Sequence, residues 1–150
     1  MFSVTKKLVL TALGAAVLSI GALDAHAQTS PARFTVEVRG QGDDVILIPG
    51  LGSSRDVWAA EADALAATHR LHLVQLNGFA GQAAPAPHEA ILAPTVEELN
   101  AYIASNHLDH PAIIGHSMGG LMGLMLARAH PESVGRLMIA DSLPFFGALF

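Results

Sequence analysis

The sequence predicts an α/β fold built on a mainly parallel, twisted sheet with helices on both faces. Two short, unbroken apolar runs, Val45-Ile46-Leu47-Ile48 and Pro111-Ala112-Ile113-Ile114, have the character of strands buried on both faces of a parallel sheet. Stretches of helical period separate such runs, and Gly or Pro marks the changeovers. Strands alternating with helices in this way imply βαβ crossovers, and ligand sites in such sheets lie beyond the carboxyl ends of the strands.

Part of the apolar fraction of 51% in these 150 residues belongs to a targeting segment rather than to a core. Lys6 and Lys7 form a basic n-region, residues 8–23 an apolar run, and Ala25-His26-Ala27 the small-residue cleavage site of a signal peptide. Residues 1–27 are therefore expected to be removed, and residues 28–150 to form the N-terminal part of one domain, exported to the periplasm or secreted. The apolar run falls short of the roughly 20 residues a spanning helix needs, so no stable membrane insertion is expected after cleavage. The mature chain would carry six arginines against twelve carboxylates, a net charge of −6, with no lysine and no cysteine. That composition excludes Schiff-base, phosphate-loop lysine and thiol chemistry, and it argues against a nucleic-acid partner.

The elements follow in order. Phe34-Thr35-Val36-Glu37-Val38 alternates like a half-buried strand, and Gly40-Gln41-Gly42-Asp43 turns the chain into the first buried strand. Residues 57–68 carry Trp58, Leu65 and several alanines at helical spacing, with Ser54 or Asp56 as the cap. Residues 71–76 return to an apolar run, and residues 77–94 read as a long loop with a short helical piece near Glu89 to Leu92. Thr95 and Glu98 have capping-box spacing and open a helix to about His107. Residues 118–130 are apolar nearly all round, so they predict a buried helix, stopped by Pro131. Residues 136–140 form a further strand, and the tail carries Phe145, Phe146 and Phe150.

Gly115-His116-Ser117-Met118-Gly119 matches G-x-S-x-G and falls between a predicted strand and a predicted helix, the context in which that motif presents a nucleophilic serine. The reason is steric. A side chain on so sharp a turn takes a strained backbone conformation, and strand and helix approach so closely that only glycine fits at positions 115 and 119. Because the turn also opens a helix, the Met118 N–H is unpaired and suited to an oxyanion. A second glycine turn, Pro49-Gly50-Leu51-Gly52-Ser53, directly follows the strand ending at Ile48, where a hydrolase presents another N–H to the oxyanion.

The segments ILIPGLGSS and IIGHSMGG resemble, in order and spacing, their counterparts in the α/β-hydrolase family, and the resemblance covers Phe34 to the end of the chain. It implies an α/β-hydrolase fold truncated before its last strands, and a Ser-Asp/Glu-His triad in that chain order with Ser117 attacking an acyl carbonyl. It also implies a second oxyanion donor at the Leu51 N–H, with Gly52 as the neighbouring alternative. Asn77-Gly78-Phe79-Ala80-Gly81 departs from the Asp-x-x-Gly turn that family members often carry. Asp141, at the end of the strand over residues 136–140, is the in-chain candidate for the acid, although most family members place that acid after the following strand. Its alternative roles are a strand-end cap or a pocket wall.

A serine hydroxyl needs a base. His130 is thirteen positions along the same helix, roughly 20 Å away at 1.5 Å per residue, and His116 reads as structural or pocket-lining. The base is therefore expected beyond residue 150. His69 with His72, and His107 with Asp109 and His110, lack a metal-site pattern and read as surface turns. Met122, Met125 and Trp58 read as packing residues. The function expected is that of an exported serine hydrolase acting on an ester, thioester, lactone or amide of a small-molecule acyl substrate, with no cofactor or metal implied and the oligomeric state left open. The competing expectation is a non-catalytic exported binding module, or an inactive fragment, that keeps the sheet and the turn without a working triad.

Overall fold

A computed structural model describes residues 33–85 and 90–142. The expected signal peptide, the Phe-rich tail and the start of the short helical piece near Glu89 lie outside the described residues. Along the chain run strands β1 (Phe34–Arg39) and β2 (Asp43–Ile48), helix α1 (Ala59–Leu65), strand β3 (His69–Leu76), helix α2 (Leu92–Ser105), strand β4 (Ala112–His116), helix α3 (Met118–Ala129) and strand β5 (Arg136–Ala140). The five strands form one sheet in the order β1-β3-β2-β4-β5. β1 pairs antiparallel with β3, and the other three pairings are parallel, so the sheet is mainly parallel as expected.

Why β2 is apolar at every position from Val45 onward follows from its place in mid-sheet. Ile46 and Ile48 point to one face, where they pack with Val74, Leu76 and Ile113 beneath Val96, Leu99 and Ile103 of α2 and Met122 and Leu126 of α3. Val45 and Leu47 point to the other, where they join Leu71 and Leu73 beneath Trp58 and Ala62. Each such Leu or Ile side chain removed from water contributes roughly 1.5–3 kcal/mol. Helices thus cover both faces, and Trp58, Met122 and Met125 are packing residues. β5 is the exception, since Met138 is 60% exposed. Among the described residues no helix is long and apolar enough to cross a membrane.

Three local expectations change. The helix expected over residues 57–68 is a short 3₁₀ turn, Arg55–Trp58, leading into α1, and the cap is Ser54, whose hydroxyl oxygen accepts the Asp56 N–H at 3.2 Å. α2 begins at Leu92 and not at a capping box. Pro94 sits in its first turn, where the missing N–H costs nothing. Thr95 is buried inside the helix and donates its hydroxyl to Ile91 O at 2.6 Å, while the Glu98 carboxylate accepts the Arg33 N–H at 3.0 and 3.1 Å and ties α2 to the start of β1.

His72 is likewise not on a surface turn: it is 3% exposed in β3. Its Nε2–H donates to Asp44 Oδ1 at 2.9 Å, and in the neutral ring Nδ1 accepts the Tyr102 hydroxyl at 2.7 Å. Arg70 completes the group with two bonds to the same carboxylate, at 2.5 and 2.8 Å. Buried polar atoms are tolerated when each finds a partner, and this group links β2, β3 and α2.

The Arg70 fork, and secondarily the His72 ring, hold the Asp44 carboxyl below its ordinary range. A carboxyl depressed in the folded state contributes stability that is present above its unfolded value of about 3.9 and is lost as pH falls through the folded value. Urea unfolding of the wild type is therefore expected to show a falling midpoint on acidification below about pH 4, and Asp44→Asn to flatten that limb while lowering the midpoint at neutral pH. An unchanged acid limb in the variant would exclude this role for Asp44.

Candidate functional site

The carboxyl end of β4 turns straight into α3, and Ser117 is the turn residue. Its backbone lies at φ +50° and ψ −118°, a conformation side-chain-bearing residues avoid at a cost of about 1–3 kcal/mol. Close packing enforces it. A Cβ at Gly115 would stand 2.3 Å from Gly119 O, and one at Gly119 would stand 2.3 Å from Ile48 O. The Ser117 N–H donates to Ala140 O of β5 at 2.9 Å, and its carbonyl accepts the Leu121 N–H at 3.1 Å. The half-buried serine is thus pinned on both sides, at the N-terminus of a helix where developing negative charge is favoured.

β2 runs beside β4 with Ile48 level with Gly115, so the loop leaving β2 arrives next to Ser117. A Cβ on Gly50 would lie 3.3 Å from Ser117 Cβ and 2.9 Å from His116 Nδ1. From there the chain makes a tight turn in which the Ser53 N–H donates to Gly50 O at 3.2 Å and Gly52 takes φ +74°. Leu51, at the tip, is 62% exposed. Among the described residues no acceptor takes the N–H of Leu51 or of Met118. The serine and the loop after β2 therefore meet at the carboxyl edge of the sheet, where the sequence places them.

Asp141 follows Ala140, the register partner of His116, so it stands at the same edge one strand over, exposed and at φ +49°. The His116 ring lies against Gly50, in keeping with a structural or pocket-lining residue. His130 caps the opposite end of α3 and bonds Glu97 at 3.1 Å, so the structure keeps it away from Ser117. His107, Asp109 and His110 form an exposed turn, and among the described residues no cluster of three or more metal-ligating side chains occurs. In the Asn77–Gly81 stretch, Gly78, Ala80 and Gly81 have positive φ, the Gln82 N–H closes back on Phe79 O at 3.0 Å, and Phe79 packs against the core under α2 and α3. Sequence reasoning passed over Gln75, which is 4% exposed and bonds the loop after β2 through the Arg55 N–H at 2.9 Å. A lone amide inside the apolar run over residues 71–76 was the available signal.

A family model for the alpha/beta hydrolase fold matches residues 44–149. The chain belongs to that family. A pimeloyl-[acyl-carrier protein] methyl ester esterase of Aeromonas hydrophila is 37% identical over 115 residues, covering 76% of this chain and 43% of the relative. A Yersinia enterocolitica protein named provisionally as a carbamate hydrolase is 34% identical, over 72% of this chain and 40% of its own length. A marine microorganism esterase superposes with a TM-score of 0.66 at 29% identity, over 73% of this chain and 42% of that one. A Pseudomonas aeruginosa hydrolase has the same fold, with a TM-score of 0.70 at 22% identity over 76% and 43%. The chain thus spans about two-fifths of the length of the curated relatives it matches.

The packing at Gly119 gives a direct check on the serine turn. A methyl group 2.3 Å from backbone oxygen has no flexible neighbour to displace. Gly119→Ala is expected to lower unfolding free energy by about 3 kcal/mol, the upper end for overpacking, as read from the urea midpoint. A midpoint within error of wild type would mean that α3 does not approach β2 this closely.

Proposed function

We propose that the protein is an exported serine hydrolase that cleaves an ester-like bond (ester, thioester, lactone or amide) of a small-molecule acyl substrate through an acyl-enzyme at Ser117. The observation that carries this reading is the placement of a positive-φ serine at a helix N-terminus with the Gly50 loop packed directly against it. The esterase names among the relatives support the same class of substrate bond.

In this reading Ser117 Oγ attacks the acyl carbonyl carbon while a base takes the hydroxyl proton. The carbonyl oxygen becomes an oxyanion and accepts hydrogen bonds from the Leu51 and Met118 amides. A preorganised donor of this kind contributes on the order of 10²–10³ in rate. Collapse of the tetrahedral centre expels the alcohol, thiol or amine, which leaves with the proton held by the base. Water then attacks the carbonyl carbon of the Ser117 ester while the base takes its proton, and as the acyl–Oγ bond breaks the base returns that proton to Ser117 Oγ and the acid is released. The base is a histidine outside the described residues. Asp141, which follows β5 at the same edge of the sheet, is the in-chain candidate for the acid that orients it. No step calls for a metal or an organic cofactor.

Two measurements test the reading. On the full-length protein, a fluorophosphonate probe is expected to label Ser117, and Ser117→Ala to lose the label while keeping its thermal transition; equal labelling of both would remove Ser117 as nucleophile. For export, the basic n-region, the apolar run and the Ala25-His26-Ala27 site predict a mature protein beginning at Gln28. Mass spectrometry of the protein recovered outside the cytoplasm reads that terminus, and an intact residue 1–27 segment there would overturn the cleavage.

A further inference from the structure

We infer that Gln75 is a positioning residue that sets the aim of the Leu51 amide toward the Ser117 hydroxyl, an inference that rests on the hydrolase reading above. Gln75 is the penultimate residue of β3 and shares the α1 face of the sheet with Leu71 and Leu73. Its side chain is almost fully enclosed, yet both ends of the amide are engaged. Oε1 accepts the Arg55 N–H at 2.9 Å, and Nε2 donates to Leu76 O at 3.2 Å. A polar side chain placed in an apolar layer costs stability unless both its groups are bonded, so its presence there is tied to those two partners.

What the Arg55 bond holds is the loop that carries Leu51. That loop leaves β2 at Pro49, touches Ser117 at Gly50 and reaches the sheet again only at Arg55. Between those points its one internal main-chain bond is the turn from the Ser53 N–H to Gly50 O. Gly52, at φ +74°, has no atom within 4 Å of where a Cβ would stand, so packing does not steer the tip. The direction of the Leu51 N–H therefore depends on its two anchors. The upstream anchor is the sheet itself. The downstream anchor is Gln75, reinforced from the side by the Arg55 guanidinium, which donates to Thr35 Oγ1 and lies 3.8 Å from the Glu37 carboxylate, both on β1. An oxyanion donor displaced by a fraction of an ångström loses much of its effect on the transition state while leaving substrate binding intact.

The test uses the full-length protein with a short-chain aryl ester as substrate and a fluorophosphonate as site titrant. Gln75→Met keeps the length and volume of the side chain and removes the acceptor. It is expected to be labelled to the same final stoichiometry as wild type but about 10–100-fold more slowly, with kcat per titrated site falling by a similar factor and KM unchanged. Gln75→Glu retains an acceptor oxygen for the Arg55 N–H at the same reach but loses the donor to Leu76 O, and it is expected to recover part of the rate per titrated site relative to Gln75→Met. If Gln75→Met does not accumulate folded, the comparison passes to Gln75→Asn, whose carbonyl stops one methylene short of the Arg55 amide, with the same expectation. Lower stoichiometry with wild-type kcat per titrated site would show that Gln75 serves folding alone and would overturn the inference. So would wild-type labelling rate and kcat in the variant. Wild-type protein that fails to label at all would instead count against the hydrolase reading, which keeps the two failures distinguishable.

Discussion

The fold is organised around the contact between the first turn of α3 and the carboxyl ends of β2 and β4. There, helix backbone meets strand backbone with no side chain between them. Gly115 and Gly119 are the positions where any larger residue would drive into main-chain oxygen, and their smallness lets the chain reverse within one residue. That reversal puts Ser117 in its strained conformation at the start of α3, at the carboxyl edge of the sheet. It also brings Gly50 against the serine and the Pro49 carbonyl against Gly119, so the same contact that closes the core assembles the candidate site.

Strain of this kind persists only where surrounding structure over-determines it. Here the restraint comes from several directions. Two apolar layers fix the sheet between α1 and the α2–α3 pair. The Ser117 amide is held by β5 and its carbonyl by α3. On the other side of the site, the loop after β2 is held by Gln75 and Arg55. Farther away, the Asp44, Arg70, His72 and Tyr102 group ties β2 and β3 to α2 at the amino end of the strands, opposite the serine. The division is a common one in parallel sheets, where one edge of the strands carries stability and the other is left to chemistry.

Much of this was legible in the residues. The unbroken run over residues 45–48 had to be a central strand because both its faces are apolar, and β5 begins and ends where its pattern does. The serine turn was readable because glycine, serine and glycine are required by sterics at fixed spacing. α2 was misplaced at its start because Pro94 suggests a break, although a proline in the first helical turn removes only an N–H that has no partner there. Thr95 and Glu98 have the spacing of a cap, yet a tertiary partner, the Arg33 amide, claims the carboxylate. His72 and Gln75 were illegible for a related reason: a polar residue in a buried strand is explained by whatever lies opposite, and the deciding partners, Asp44 and Tyr102 for His72 and the Arg55 amide for Gln75, stand 20 to 30 residues away in the chain.

The sequence by itself determined the fold class, the central strands and the identity of the serine turn, because hydrophobic period and steric exclusion act over a few neighbouring residues. Only the tertiary structure decided which polar side chains are buried, what satisfies them, and that the loop after β2 closes on Ser117 while being held from β3. Those outcomes depend on strand order, since β3 and β4 flank β2 on opposite sides, and no local pattern encodes which strand will lie beside which.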